Sequence, residues 1–261
     1  MTLINCYFVL IVELSNYIIQ VKIKKKGDFM KKLFITFIAS AFALTINTTL
    51  IAAGTYSVGA IYNNLSFEAE GSNTIFVGDQ HDRTSVSSDQ NVGSLFIEYN
   101  ATAESGLGVS LGFEVIPGSV EFATKSRADT NATDDDDGDA GTYTGTAEIS
   151  NPKTIYVEPT FMFNDSLGMY LKGGISHVTF TDHANNGART SSYEQKSVFG
   201  GMYGIGAKYK HSSGFFVKAE GAMTKWSTFT SSNSRQGESG LSRIKVNPEQ
   251  KAVRLAIGLA F

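Results

Sequence analysis

The last ten residues, AVRLAIGLAF, restrict this chain more than any other stretch. Counted back from the carboxyl end, every second residue is apolar: Phe261, Leu259, Ile257, Leu255 and Val253. Between them stand Ala260, Gly258, Ala256, Arg254 and Ala252. A β-strand turns successive side chains to opposite faces, so one face here is wholly apolar. The other is small and carries one charge. A soluble sheet can read this way too. A chain that ends on an aromatic inside such a strand fits a transmembrane β-strand, with lipid outside and a filled interior inside.

The preceding segments repeat the theme. A first strand is predicted from about Val58 to Glu70, with Ile61, Leu65, Phe67 and Ala69 on one face and Tyr62, Asn64, Ser66 and Glu68 on the other. The second, GSLFIEYNA, sends Leu95, Ile97 and Tyr99 outward and Glu98 inward, with Phe96 breaking the polar face. The third, LGVSLGFEV, alternates cleanly and turns Glu114 inward. The fourth sets Ile155, Val157, Phe161 and Phe163 against Tyr156, Glu158 and Thr160. Pro159 cannot donate to a ladder, so a bulge or local break is expected there. The fifth, GMYLKGGISHVTF, puts Met169, Leu171 and Ile175 outward and Tyr170, Lys172 and Ser176 inward. Its phase is expected to slip after His177, where Val178 and Phe180 become the apolar pair. The sixth sets Phe199, Tyr203, Ile205 and Tyr209 against Met202 and Lys208. The seventh sets Phe215, Val217, Ala219 and Met223 against Lys218, Glu220 and Thr224.

Between these strands, tight turns (AESG, Asn164-Asp165-Ser166, HSSG) alternate with long polar stretches. The long ones are GDQHDRTSVSSDQN, the segment from Pro117 to Pro152, DHANNGARTSSYEQ and SSNSRQGESGLSR. His81 and His183 are expected in such loops. A strict short–long alternation has no reason to exist in a soluble sandwich. It is what short periplasmic turns and longer external loops produce. With 26 Gly, 18 Phe, 11 Tyr and only 4 Pro, the composition favours an all-β fold. The mean hydropathy of −0.07 excludes a bundle of membrane helices but not a membrane barrel, in which only alternate residues need be apolar. The expectation is therefore all-β: an eight-stranded antiparallel up-and-down transmembrane β-barrel.

On these residues the chain after Gly54 resembles the small bacterial outer-membrane β-barrel superfamily: the membrane domain of outer membrane protein A, the opacity-type adhesins and outer membrane protein W. The resemblance implies a Gram-negative outer-membrane location. Val253, Leu255, Ile257, Leu259 and Phe261 resemble the C-terminal assembly signal read by the barrel-assembly machinery, which this resemblance implies as a partner.

Two apolar stretches precede the barrel. From Met30, Lys31 and Lys32 form a positive n-region, Leu33 to Leu44 an apolar core, and Ile51-Ala52-Ala53 a small-residue cleavage site. Residues 30–53 are thus expected to be a signal peptide, with 54–261 the barrel domain. Residues 1–29 fit badly in front of a signal and are expected to be a mis-assigned extension; a single anchor helix over Leu3 to Val21 is the alternative. Amino-terminal sequencing of the exported protein separates the two. Residues 54–261 hold 16 basic and 23 acidic residues, a net charge of −7, which argues against a nucleic-acid partner. Cys6 alone supports neither a disulfide framework nor a cysteine-ligated metal.

The inward charges are the candidate site. They are Glu98, Glu114, Glu158 and Glu220 with Lys172, Lys208, Lys218 and Arg254, four of each sign. Eight strands leave an interior just wide enough for side chains to fill, where paired charges are tolerable and unpaired ones expensive. A plugging salt-bridge network is the expectation, and a narrow polar pore lined by the same residues is the alternative. Neighbouring strands make Glu220 and Glu68 the nearest candidate partners of Arg254, ahead of Glu98, Glu114 or Glu158.

Asp134–Asp137 with Asp139 invite a calcium reading, but the EF-hand spacing is missing, since its first position would be Thr133. A solvated external loop is the expectation. His211-Ser212-Ser213 offers a base and a nucleophile without a nearby carboxylate in sequence, and reads as a turn. His177 reads as an interfacial residue. No catalytic, cofactor or metal residues are therefore assigned. The chain is expected to be a monomer in outer-membrane lipid with a structural or surface-interaction role through its external loops, and any surface ligand is unidentified. The alternative is a small pore or transport barrel for small or hydrophobic molecules; a lipid-modifying enzyme ranks third.

Overall fold

The computed structural model describes residues 54–75, 80–103, 105–129, 141–185, 190–193, 195–235 and 238–261. The extension expected at 1–29, the signal expected at 30–53 and the run Asp134–Asp137 with Asp139 lie outside the described residues.

Eleven strand segments are present: β1 Thr55–Ile75, β2 Gln80–Thr102, β3 Leu107–Val115, β4 Ser119–Asp129, β5 Gly141–Met162, β6 Leu167–Asn185, β7 Thr190–Tyr193, β8 Lys196–Lys210, β9 Phe215–Trp226, β10 Phe229–Arg235 and β11 Glu238–Ala260. They form eight arms, because three arms are each interrupted once, between β3 and β4, β7 and β8, and β9 and β10. Each arm pairs antiparallel with its neighbours, and β1 pairs with both β2 and β11. The sheet therefore closes on itself as an eight-stranded barrel and has no free edge in its main wall.

Turn chemistry sets the short end. Gly106 and Gly214 take φ of 81° and 88°, a region costly for other L-residues. Gly214 N donates to His211 O, while its own carbonyl accepts from Ala260 N. Asn164 Oδ1 accepts from the backbone amides of Ser166 and Leu167, closing the third short turn.

The long end departs from the sequence expectation. The described residues of the polar stretches are strand rather than loop: they continue the arms as paired hairpins. GDQHDRTSVSSDQN lies largely in β2, paired through to Ile75↔Gln80. The Pro117–Pro152 segment holds β4 and the start of β5, paired from Ser119↔Ser150 to Asp129↔Gly141. DHANNGARTSSYEQ holds the end of β6 and β7, and SSNSRQGESGLSR joins β10 to β11. His81 and His183 consequently sit in β2 and β6 rather than in loops. Polar side chains misled the expectation because backbone hydrogen bonds, not apolar faces, hold a hairpin that stands in water.

Of the bulge or local break expected at Pro159, the structure shows the break and puts the bulge elsewhere, and the phase slip expected in the fifth strand is corrected. The bulge in the fourth arm lies at Asn151-Pro152, where the β5–β6 register shifts between Ser150 and Lys153. Asn151 takes φ of 50°, which asparagine tolerates. At Glu158-Pro159 the ladder to β6 has a gap without any shift of register. The phase of β6 never slips. Tyr170, Lys172, Ser176, Val178 and Phe180 all point inward, and only the character of the interior changes along them.

Outside, the wall is apolar and bare. Leu95, Ile97, Leu111, Phe113, Ile155, Leu171, Ile205, Val253, Leu255, Ile257 and Leu259 are all exposed. A greasy belt around a charged interior fits hydrocarbon outside, not water. Inside, the hairpin end is capped by an apolar cluster that includes Leu65, Phe67, Ile149, Val178, Phe180 and Trp226. Trp226 meets Phe67 at 6.3 Å and Phe180 edge-on at 5.8 Å between ring centroids. Toward the short turns Ile61, Phe96, Phe216 and Ala256 form a second cluster. The charges lie between these layers.

Candidate functional site: an ion-pair chain across the lumen

All eight inward charges occupy the interior, each 9% exposed or less. Strand alternation delivers them there, and the barrel brings seven together. Arg254 in β11 donates through Nη1 to Glu220 Oε1 at 2.6 Å and through Nη2 to Glu114 Oε1. Its Nε donates to Asn63 Oδ1 at 2.7 Å. Glu220 Oε2 then faces Lys172 Nζ at 2.6 Å, and Lys172 lies 3.5 Å from Glu158 Oε2. Lys218 Nζ donates to Glu158 Oε1 at 2.6 Å and to Glu98 Oε1 at 2.5 Å. The order is Glu114, Arg254, Glu220, Lys172, Glu158, Lys218, Glu98: signs alternate from end to end.

Neutral groups add further hydrogen bonds to the chain. Tyr156 Oη donates to Glu98 Oε1 at 2.8 Å, and Tyr170 Oη donates to Glu220 Oε2 at 3.1 Å. Ser94 Oγ donates to Glu114 Oε1 at 2.7 Å and accepts from Asn63 Nδ2 at 3.0 Å. Burying seven charges is costly, and only good geometry with further hydrogen bonds offsets the loss of hydration. The planar fork of Arg254 suits its role as the residue with three different acceptors.

The ties run across the barrel as well as around it. Arg254 in the eighth arm reaches Glu114 in the third; Lys218 in the seventh reaches Glu98 in the second and Glu158 in the fourth. The free volume among these groups is about 10 Å³, at the threshold for one water molecule. A second space of about 40 Å³ lies toward the hairpin end. Glu114 and Trp226 both line it, and Glu114 Oε2 and Trp226 Nε1 have no hydrogen-bond partner among the described residues.

The structure corrects the partner expected for Arg254. Glu220 is a partner, but Glu68 is not: it points outward and pairs with Lys251 at 2.9 Å. Glu114, ranked behind Glu68, takes its place. Lys208 stands apart from the chain, 3.5 Å from Asn100 Oδ1 and 4.7 Å above the Phe216 ring. Sequence reasoning passed over Asn63, Ser94, Tyr156 and Tyr170 as partners; their signal was an inward position on strands that also carry the charges.

The remaining candidates fall elsewhere. Val253, Leu255, Ile257, Leu259 and Phe261 line the outer wall, each 49% exposed or more. His211 Nδ1 lies 2.9 Å from Ser213 Oγ in the exposed turn. His177 packs against Phe199 in a tilted arrangement, 4.7 Å between centroids. Among the described residues no group of His, Cys, Asp and Glu is arranged to hold a metal.

A family model described as an outer membrane protein beta-barrel domain matches residues 33–256. No curated protein matches the chain. Among solved structures the chain is similar to Ail, the attachment invasion locus protein of Yersinia pestis, at 13% identity and TM-score 0.30, over 75% of this chain and 98% of that one. It is similar to the outer membrane protease OmpT of Escherichia coli at 8% identity and TM-score 0.43, over 79% and 97%. It is similar to OprG of Pseudomonas aeruginosa at 12% identity and TM-score 0.39, over 77% and 96%.

Proposed function

The chain belongs to the outer membrane protein β-barrel domain family, and from that premise we propose that it is a plugged, non-enzymatic barrel whose long hairpins present an interaction surface outside the cell. Its place is the outer membrane. The observation that carries the proposal is the alternating chain of seven charges, with about 10 Å³ free among them. A hydrated ion needs a continuous wet path, and this packing supports none. The apolar cap of Phe67, Phe180 and Trp226 adds a second obstruction toward the hairpins. Four paired hairpins rising from one end supply the remaining surface, and binding residues concentrate on such protruding segments when a rigid scaffold holds them.

The turn that carries His211 and Ser213 lies at the opposite end from the hairpins, exposed and without an orienting acid among its hydrogen-bond partners. That supports a turn rather than a hydrolase site. Assembly through the Val253–Phe261 pattern and a monomeric state belong to the same proposal.

Planar-bilayer recording of the refolded full chain tests it. The proposal expects a silent membrane. Stable single-channel steps overturn it in favour of transport. A protease-site tag placed in the hairpins, cut on intact cells, tests the outward orientation.

A further inference from the structure

The short-turn end of the barrel opens into a polar vestibule of about 580 Å³. Lys208 lies at its inner wall and Lys210, two residues along the same strand and so on the same face, lies nearer its rim. Neither ammonium pairs with a carboxylate among the described residues; Glu98 and Glu158 each turn an oxygen to Lys218 instead. Lys208 is 9% exposed, yet its three N–H donors meet one acceptor, Asn100 Oδ1 at 3.5 Å. That oxygen already accepts from Ser110 Oγ at 2.7 Å. The Phe216 ring supports the cation from one side only. A buried ammonium is ordinarily paired and fully hydrogen-bonded, because desolvation otherwise disfavours it. This one is held open toward the vestibule.

We propose that the vestibule is an oxyanion-binding site. Lys208 is its principal contact, Lys210 adds long-range attraction, and the hydroxyls of Ser110 and Thr160 are polar groups of the same wall. The ligand is the carboxylate or phosphate end of a small molecule reaching the barrel from the periplasmic side. Among the described lining residues the one acid is Asp165, on an exposed turn, so the inner wall is cationic. The volume admits a group of a few heavy atoms together with its stem, and the plug behind it stops passage. Capture without transport is the consequence.

The test is an amide chemical-shift titration of the full chain refolded in detergent, at constant ionic strength. Inorganic phosphate, acetate and neutral acetamide are added in separate arms. Saturable shifts at Gly108, Ser110 and Phe216 are expected with phosphate or acetate and none with acetamide. The arm that saturates at lower concentration identifies the oxyanion. Lys208→Met keeps an aliphatic stem over Phe216 and is expected to weaken binding at least about tenfold, the scale of one charged hydrogen bond. Lys210→Gln, nearer the rim, is expected to weaken it less and serves as the working variant should Lys208→Met fail to fold. Shifts that stay linear through the millimolar range overturn the proposal. So do shifts equal for oxyanion and acetamide, or unchanged affinity in the variants.

Discussion

Arg254 and Glu114 meet inside the barrel although 140 residues separate them and their arms are not neighbours in the wall. The contact spans the lumen, so it reports closure of the barrel rather than pairing of two strands. Arg254→Ala leaves Glu114 and Glu220 buried without their shared cation. The expected loss is about 3–5 kcal/mol, the usual cost of breaking a buried pair. Glu114→Gln added to Arg254→Ala is expected to restore part of it, and a double-mutant cycle by urea unfolding in detergent isolates the coupling. Simply additive losses, together with new conductance, argue for a wet lumen in which such couplings fall to about 1 kcal/mol or less.

Leu255→Asp and deletion of Phe261 are both expected to cut the yield of assembled protein. Leu255 faces lipid, 53% exposed in the absence of the bilayer. A lipid-facing charge costs about 2–4 kcal/mol at the midplane for bases and less for acids. Heat-modifiable migration on gels gives the readout, and full folding of both variants refutes a special role for the last strand.

Two glycines make a matched pair. A Cβ on Gly206 falls 2.6 Å from the carbonyl oxygen of Ala219 and onto the Tyr170 ring. Backbone cannot step aside, and Tyr170 would leave Glu220. Gly206→Ala is therefore expected to destabilise by about 1–3 kcal/mol, as overpacking does. A Cβ on Gly221 meets nothing within 4 Å, so Gly221→Ala is expected to stay within about 0.5 kcal/mol of the parent. Equal effects in urea unfolding contradict the assigned inside and outside of these strands.

Replacing Asp134 through Asp137 with Ser is expected to leave folding intact. The run falls between Asp129, the last residue of β4, and Gly141, the first of β5. Polar, acidic connections between strands are preferred sites of proteolytic nicking. Protease added to intact cells is expected to cut there, and complete protection would invert the topology.

The sequence alone determined the wall. Period-two alternation, three tight turns and the terminal aromatic strand pointed to eight arms and to the eight charges that are buried among the described residues, because each depends only on residues close in the chain. It could not say which of two alternating faces is the inside once the chain leaves the hydrocarbon. Leu65, Phe67, Val178 and Phe180 read as an outward apolar face or a slipped phase, yet all four are buried. Above the lipid the outer surface meets water and the interior becomes the apolar side, so the same alternation carries the opposite meaning. Glu68 was misassigned for that reason, and it pairs with Lys251 on the outer wall. Partner choice lay wholly with the tertiary structure. Closing the sheet sets stagger and diameter together, and only then does the third arm come within reach of the eighth, so that Arg254 finds Glu114 and Lys208 is left facing the vestibule.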